Sequence, residues 1–281
     1  MRNKVVAMPL IPGHLRRAGG ERPDLGHARF SRAAWQWWCD RHDIEFVVLD
    51  RPLGDSRHEH LPPTFQRWLA PEQIIRERGD DTVVAVVDAD TMIRWDTPNF
   101  LQHRRGFAAV KASNANWIAR SIGAFQPLFP EVSLPWWEYV NAGLVVVGAA
   151  QLSALRNLVS FACDRWPELE AVIRAGDVGT DQTPLNLVLR RQREPIWILP
   201  PPYNFLHCFP MDQALLTLDR GPRPEPDLFA SRGFSREWAF EFIGLAFVWH
   251  FTNVVKHRTL VMEEVWRRVA SHYPGAVVDA A

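Results

Sequence analysis

The sequence predicts an α/β protein built on an open, largely parallel sheet with helices on its faces. Two observations carry this. A strand-like segment at residues 4–8, a helical segment at 28–41 and another strand-like segment at 44–49 follow one another at the spacing of a βαβ unit. Such a crossover makes its two strands parallel. Farther on, Val83–Val87 is an unbroken apolar run rich in β-branched residues, the composition of a central strand covered on both faces. It stops abruptly at Asp88-Ala89-Asp90. Burying a charge is costly unless something pairs with it, and ligands of open α/β sheets sit beyond the carboxyl ends of strands.

The elements follow in order. The first strand ends at Pro9, before an irregular Pro/Gly/Arg-rich loop reaching about residue 24. The helix at 28–41 carries Ala34, Trp35, Trp37 and Trp38, and Asp50-Arg51-Pro52 closes the second strand. Residues 64–78 read as a helix broken near Pro71, whose ring cannot continue the helical ladder. Past the acidic stretch, Thr97-Pro98 starts a short helix and 107–111 reads as a strand. Residues 112–137, aperiodic and rich in aromatics and prolines, read as a long loop with helical pieces, and long ordered loops are often functional. A strand at 139–147, with a break at Asn141-Ala142-Gly143, precedes helices at 151–166 and 168–175. Gly179-Thr-Asp-Gln-Thr-Pro184 opens a further helix, with Thr180 as its cap. A strand at 196–199, a Gly/Pro/charge-rich linker at 219–236, an apolar run at 242–250 and a closing helix at 258–272 complete the chain.

Composition bounds the function. Apolar residues make up 47% of the 281 and charged residues 23%, the balance of a soluble globular protein. The formal net charge is zero, which argues against a nucleic-acid partner. The apolar runs fall short of the ~18–20 residues of a membrane span, and the N-terminus lacks the apolar stretch of a signal peptide. Cys39, Cys163 and Cys208 form no C-x-x-C pair, which fits a reducing, cytoplasmic setting better than a disulfide framework or zinc knuckle. Lysine is confined to Lys4, Lys111 and Lys256 in an Arg-rich chain, which draws attention to Lys256. The thirteen Trp allow stacking on sugar faces, although most are expected in packing.

Asp88 and Asp90, two residues apart at a strand end, can reach one cation. Their hard oxygens suit magnesium or manganese, which also bind substrate phosphates. An isolated D-x-D equally suits a solvated turn; the buried strand before it favours a site. His250 ends the other strongly apolar run and can supply a third ligand, which tilts the choice toward manganese. Lys256 follows within seven residues as a compact cation able to neutralise a diphosphate. His58 and His60 have no matching carboxylates and read as solvated loop.

The order of these pieces resembles the glycogenin-like, family 8 glycosyltransferases. The matching stretches are the strand ending in DxD, Asn141-Ala142-Gly143, Asp181-Gln182 with Asn186 downstream, Tyr203-Asn204, and His250-Phe251 with Lys256. The family motif HFxGxxKPW reads HFTNVVKHR here, so Asn253 replaces a glycine and His257-Arg258 replace Pro-Trp. Asn tolerates the left-handed conformation better than most residues. The first strand carries Met8-Pro9-Leu10 in place of the family's Thr-x-Ala-x-Asn. The matches span residues 83–256.

The resemblance implies a GT-A fold: a mixed, mainly parallel sheet flanked by helices, as one domain over 1–281 with a flexible tail at 272–281. It implies retaining transfer from a nucleotide-diphospho-sugar, a UDP-sugar foremost, to a carbohydrate, lipid-linked or protein acceptor. Asp88, Asp90 and His250 would hold manganese or magnesium. Donor contacts would come from Met8, Arg67, Asp88, Ala89, Asn141, Ala142, Gly143, Asn253 and Lys256. Asp181 would act on the sugar hydroxyls and Gln182 near the anomeric carbon. The residues themselves leave open a structural role for each: a strand bulge at Gly143, helix capping at Asp181 and Gln182, a surface arginine at Arg67. Acceptor contacts are expected from 117–137 and 219–236, and a homodimer stays open. Two other readings compete: a sugar-phosphate nucleotidyltransferase, for which Gly13, Arg16, Arg17, Gly19 and Gly20 supply part of the expected composition, and a non-catalytic binder of nucleotide sugars or carbohydrates.

Overall fold

The apolar run Val83–Val87 is a strand (β3), buried along its whole length. It belongs to a computed structural model that describes residues 3–11, 25–102, 106–176, 178–206, 240–252 and 258–279. Two compact units interleave along the sequence. One comprises Met1–Pro23, Asp43–Val87 and Asn99–Pro200, the other Asp24–His42, Asp88–Pro98 and Pro201–Ala281.

The first unit holds β1 (Lys4–Pro9), β2 (Glu45–Leu49), β3, β5 (Phe107–Lys111), β6 (Val140–Val147) and β7 (Ile196–Leu199). They form one six-stranded sheet in the order β2-β1-β3-β6-β5-β7. β1 runs parallel to β2 and β3, and β7 parallel to β5, whereas β6 is antiparallel to both its neighbours. The sheet is mixed and mainly parallel, as expected. Val5 and Ala7, Val84 and Val86, Phe107 and Ala109 alternate onto one core with Ile74, Leu155, Leu158 and Val188, the period-two pattern of strands. The intervening Val6, Ala85 and Ala108 are buried too, so both faces of these strands are covered.

Helix α2 (Pro63–Gln66) gives way to a 3-10 turn and then α3 (Ala70–Arg78), with Pro71 in its first turn. The expected break is thus one helix start. Gly79, at φ 108°, ends α3 by returning its N–H to Ile75 O at 2.8 Å, a backbone conformation that favours glycine. Residues 112–137, expected as a long loop with helical pieces, contain the regular helix α4 (Ala115–Phe125). Asn114 accepts the N–H of Trp117, and Ile118, Ser121, Ile122 and Phe125 form its buried stripe, an N-cap and a helical period that the flanking prolines obscure. All residues of β6 are buried in strand, but its pairing slips where the break was expected: Ala109 faces Val145 and Lys111 faces Val140, so four β6 residues, Asn141 to Leu144, stand opposite Val110 alone, and the pairing with β3 stops at Leu144. Helices α5 (Leu152–Asp164), α6 (Trp166–Ala175) and α7 (Gln182–Gln192) follow. Asp181, not Thr180, occupies the cap of α7; the Thr180 hydroxyl donates to Asp181 Oδ1 at 3.1 Å.

The second unit is built from α1 (Ala28–Arg41), the antiparallel pair β4 (Thr91–Ile93) and β8 (Val248–His250), and the closing helix Arg258–Val269. The run at 242–250 is split into a short helix, Phe242–Leu245, and β8. α1 grips β4 through polar tips on a hydrophobic face. Trp35 Nε1 donates to Thr91 Oγ1 at 3.0 Å, Trp38 Nε1 to Thr97 O at 2.8 Å, and the Ser31 hydroxyl to Thr91 O. The expected tail at 272–281 packs further than its composition suggests. Tyr273 is buried and donates to Ile93 O at 2.5 Å, and His272 stacks on Trp95 with centroids 3.7 Å apart. Among the described residues, no helix is long and apolar enough to cross a membrane.

Candidate functional site

Backbone pairing builds the acidic site of the second unit. Asp88 O accepts the N–H of Thr91 at 3.1 Å and the Thr91 hydroxyl at 2.6 Å, which turns the chain tightly and starts β4. In the β4–β8 ladder Thr91 stands opposite His250, and Phe251 N–H donates to Asp90 O at 2.9 Å. This register brings the imidazole to both carboxylates. His250 Nε2 lies 3.3 Å from Asp90 Oδ1 and 3.7 Å from Asp88 Oδ2. One ligand atom from each of Asp88, Asp90 and His250 can be chosen so that all lie within 4.8 Å of one another. Two carboxylate oxygens and an imidazole nitrogen suit a divalent cation. Asp90 and His250 are buried and Asp88 is half-buried.

The other imidazole nitrogen is also assigned. A 3-10 turn at Pro201–Asn204 is followed by Phe205, whose N–H donates to Val248 O at 2.8 Å and whose carbonyl accepts His250 N–H at 3.0 Å. Zipped against β8 in this way, the turn sets Asn204 Oδ1 2.9 Å from His250 Nδ1. Nδ1–H donates to this oxygen, so Nε2 is the nitrogen turned to the aspartates. A ligating histidine characteristically has its second nitrogen held this way. Asn204 appears in the sequence only as part of a Tyr-Asn match; its role is set by the register of β8.

Arg258, noted in the sequence only as a departure from a motif, reaches the same carboxylate. Its guanidinium lies 3.0 Å from Asp90 Oδ2, and Nε donates to Phe251 O at 3.1 Å. Burial alone would push the Asp90 carboxyl up; interactions with His250 and then Arg258 outweigh it and hold this group below the usual carboxylate range.

The first unit holds a second polar cluster. Asp181 and Arg67 are both buried. Asp181 Oδ2 accepts from Arg67 Nε at 3.0 Å, the Arg67 terminal nitrogen at 2.6 Å and Trp68 Nε1 at 2.8 Å. The Arg67 guanidinium also lies over the Trp68 ring, 4.5 Å from its centroid. Arg67 is therefore no surface arginine. Beside Asp181 in sequence, Gln182 Oε1 accepts from Asn141 Nδ2 and Ala142 N–H, both at 2.9 Å, and Gly143 N–H donates to Asn141 Oδ1 at 2.8 Å. Asn186 completes the joint: its oxygen accepts Val140 N–H at 2.7 Å, and its Nδ2 donates to Val140 O at 2.9 Å and Gln182 O at 2.8 Å. The two sequence matches N-A-G and D-Q-x-x-x-N are thus one interlocked unit between β6 and α7.

Met8 is fully buried in β1, and Ala89 is half-buried in the turn between the two aspartates. Asn253 and Lys256 lie outside the described residues, as do the acceptor segment 219–236 and the glycines and arginines at 13–20. Of the aromatic stretch, Trp136 and Trp137 are 45% and 55% exposed. A groove of about 760 Å³ in the same unit is lined by Lys111, Leu134, Glu138, Arg190, Arg193 and Ile198, among others.

No protein-family model matches the chain, and no curated protein is similar to it in sequence. Similar solved structures exist. A glycosyltransferase involved in the glycosylation of the major capsid of PBCV-1 superposes with a TM-score of 0.52 at 12% identity, over 92% of this chain and 98% of that one. The bifunctional glycosyltransferase WbbM gives 0.48 at 16% identity, over 95% of this chain and 51% of WbbM. Mouse xyloside xylosyltransferase 1 gives 0.45 at 11% identity, over 88% of this chain and 97% of that one. The likeness to the capsid-modifying enzyme shows the fold, the α/β architecture of GT-A glycosyltransferases.

Proposed function

We propose that the chain is a metal-dependent glycosyltransferase that moves a sugar from a nucleotide-diphospho-sugar, a UDP-sugar first among them, to a carbohydrate, lipid-linked or protein acceptor. The observation that carries this is the convergence of Asp88, Asp90 and His250, which lie up to 162 positions apart and yet offer ligand atoms within 4.8 Å. Mere solvated acids would not be paired in register with a histidine whose far nitrogen is fixed by Asn204. The resemblance to glycogenin-like family 8 enzymes supports the same reading and is the ground for expecting retention at the anomeric carbon. The alternation of both units along the chain supports reading residues 1–281 as one catalytic domain.

Asp88, Asp90 and His250 would hold the cation, manganese before magnesium. When bound, it supplies positive charge against the leaving diphosphate, the electrostatic help such a departure needs. The remaining roles belong to side chains. Lys256 is assigned to the diphosphate, with Met8, Ala89, Asn141, Ala142, Gly143 and Asn253 as further donor contacts. Asp181 fixes Arg67, which orients that guanidinium for the donor. Gln182 is held through its carbonyl by Asn141 and Ala142 and is assigned to the anomeric region. The exposed Trp136 and Trp137 and the groove beside them support acceptor contacts from residues 117–137, since aromatic faces suit sugar stacking.

The test is incubation with manganese and a panel of nucleotide sugars. Release of nucleoside diphosphate is expected, and Asp88→Ala and His250→Ala should abolish it. Pyrophosphate-dependent release of nucleoside triphosphate would instead indicate a nucleotidyltransferase, and tight binding without turnover a binding protein. Full manganese-dependent turnover in either variant would refute the metal assignment.

A further inference from the structure

We infer that Arg258 makes cation binding at Asp88, Asp90 and His250 depend on the anionic donor, so that the metal enters tightly only together with a diphosphate. This rests on the metal-dependent reading above. The two oxygens of Asp90 have different neighbours. Oδ1 faces His250 Nε2 at 3.3 Å, and Oδ2 faces the Arg258 guanidinium at 3.0 Å. Arg258 is not a loose surface charge: its side chain is 19% exposed, and it is pinned by Nε to Phe251 O at 3.1 Å and by a terminal nitrogen to Thr252 O at 3.4 Å.

Two consequences follow. With Oδ2 engaged, Asp90 offers a cation one oxygen and not a chelating pair. With one guanidinium beside two carboxylates, the permanent charges sum to −1 and not −2. A divalent ion alone therefore meets a site of low charge, with a fixed cation close by. Oxygens of a diphosphate restore the negative charge and supply the missing ligands. They also give the guanidinium a second acceptor, of the kind its fork geometry suits.

The experiment titrates Mn²⁺ into the full chain, following free manganese by electron paramagnetic resonance, with and without UDP. In the wild type, UDP should tighten manganese binding by at least about tenfold. Arg258→Gln should bind manganese alone at least about tenfold tighter than wild type, since a unit charge a few ångströms from a divalent ion is worth that much even under strong screening. UDP should then add less. Arg258→Lys, which keeps the charge, should stay near the wild-type value. The inference fails if Arg258→Gln binds manganese no tighter than wild type, or if the Gln and Lys variants change equally. Should Arg258→Gln lose its cooperative melting transition, the wild-type comparison decides: no tightening by UDP overturns the inference. Normal manganese binding with an inert Arg258 leaves the proposed function standing. No manganese bound by any form, with or without UDP, removes the metal site itself, and this inference with it.

Discussion

The His250 imidazole donates Nδ1–H to Asn204 Oδ1 at 2.9 Å, which leaves Nε2 facing Asp88 and Asp90. The acceptor comes from a turn held to β8 by Phe205, so the nitrogen that faces the aspartates is chosen by strand register.

Asn204→Leu removes that acceptor and frees the ring to change tautomer and orientation. Manganese affinity is expected to fall about 10- to 100-fold, the usual effect of losing such a partner. Asn204→Asp, which still accepts, should retain most of it. Titration of free manganese checks both, and equal affinity in wild type and the Leu variant would remove Asn204 from the site.

Arg67 and Asp181 form a buried ion pair, with side chains 7% and 5% exposed. Among the described residues, Arg67→Met leaves the buried carboxylate with Trp68 and Thr180 as its side-chain donors. The expected destabilisation is about 3–5 kcal/mol, read from urea unfolding. Adding Asp181→Leu to that variant should recover much of the loss, because the uncompensated charge goes with it. Turnover should not recover if Arg67 contacts the donor. A double variant as unstable as Arg67→Met would show that packing, not charge, sets the cost.

Asn186 joins α7 to β6 by bonding both the N–H and the carbonyl of Val140. Asn186→Ala strands two buried backbone groups, and about 1–3 kcal/mol of stability should go with them. Hydrogen exchange at Val140 should accelerate more than exchange in β1, which shares no bond with Asn186.

The chain has three tyrosines, and burial pushes all three phenols up, Tyr139 to about 12 and Tyr203 and Tyr273 upward as well. A folded pKa above the unfolded value of about 10 favours the neutral phenol in the fold. The associated stability is intact below pH ~10 and is lost as pH rises toward the folded value. Tyrosinate absorbance should therefore stay flat near pH 10 and rise together with unfolding. A clean tyrosinate titration centred near 10, with the fold intact, would contradict this.

Local chemistry was legible where it speaks through neighbours in sequence. The boundaries of α1 and of the strand Phe107–Lys111 can be read from periodicity, and the break before Pro71 from the missing N–H. Helix α4 was read only as an unplaced helical piece because the prolines and aromatics that follow it mask a period eleven residues long. At Asn141-Ala142-Gly143 the composition suggested a break, and the register with β5 does slip there, although every residue of the strand stays buried.

By itself the sequence determined the α/β class, the burial of Val83–Val87 and the presence of two acids at that strand's end. These depend on hydrophobic pattern and residue chemistry, which are local. Only the tertiary structure decided which distant groups those acids meet. The pairing of Thr91 with His250 brought the imidazole to the two acids, the zipping of Phe205 to β8 set Asn204 on its far nitrogen, and the start of the closing helix set Arg258 on Asp90. A shift of one residue in that ladder would turn every one of these side chains away, and register is a property of paired strands that no single stretch of sequence contains.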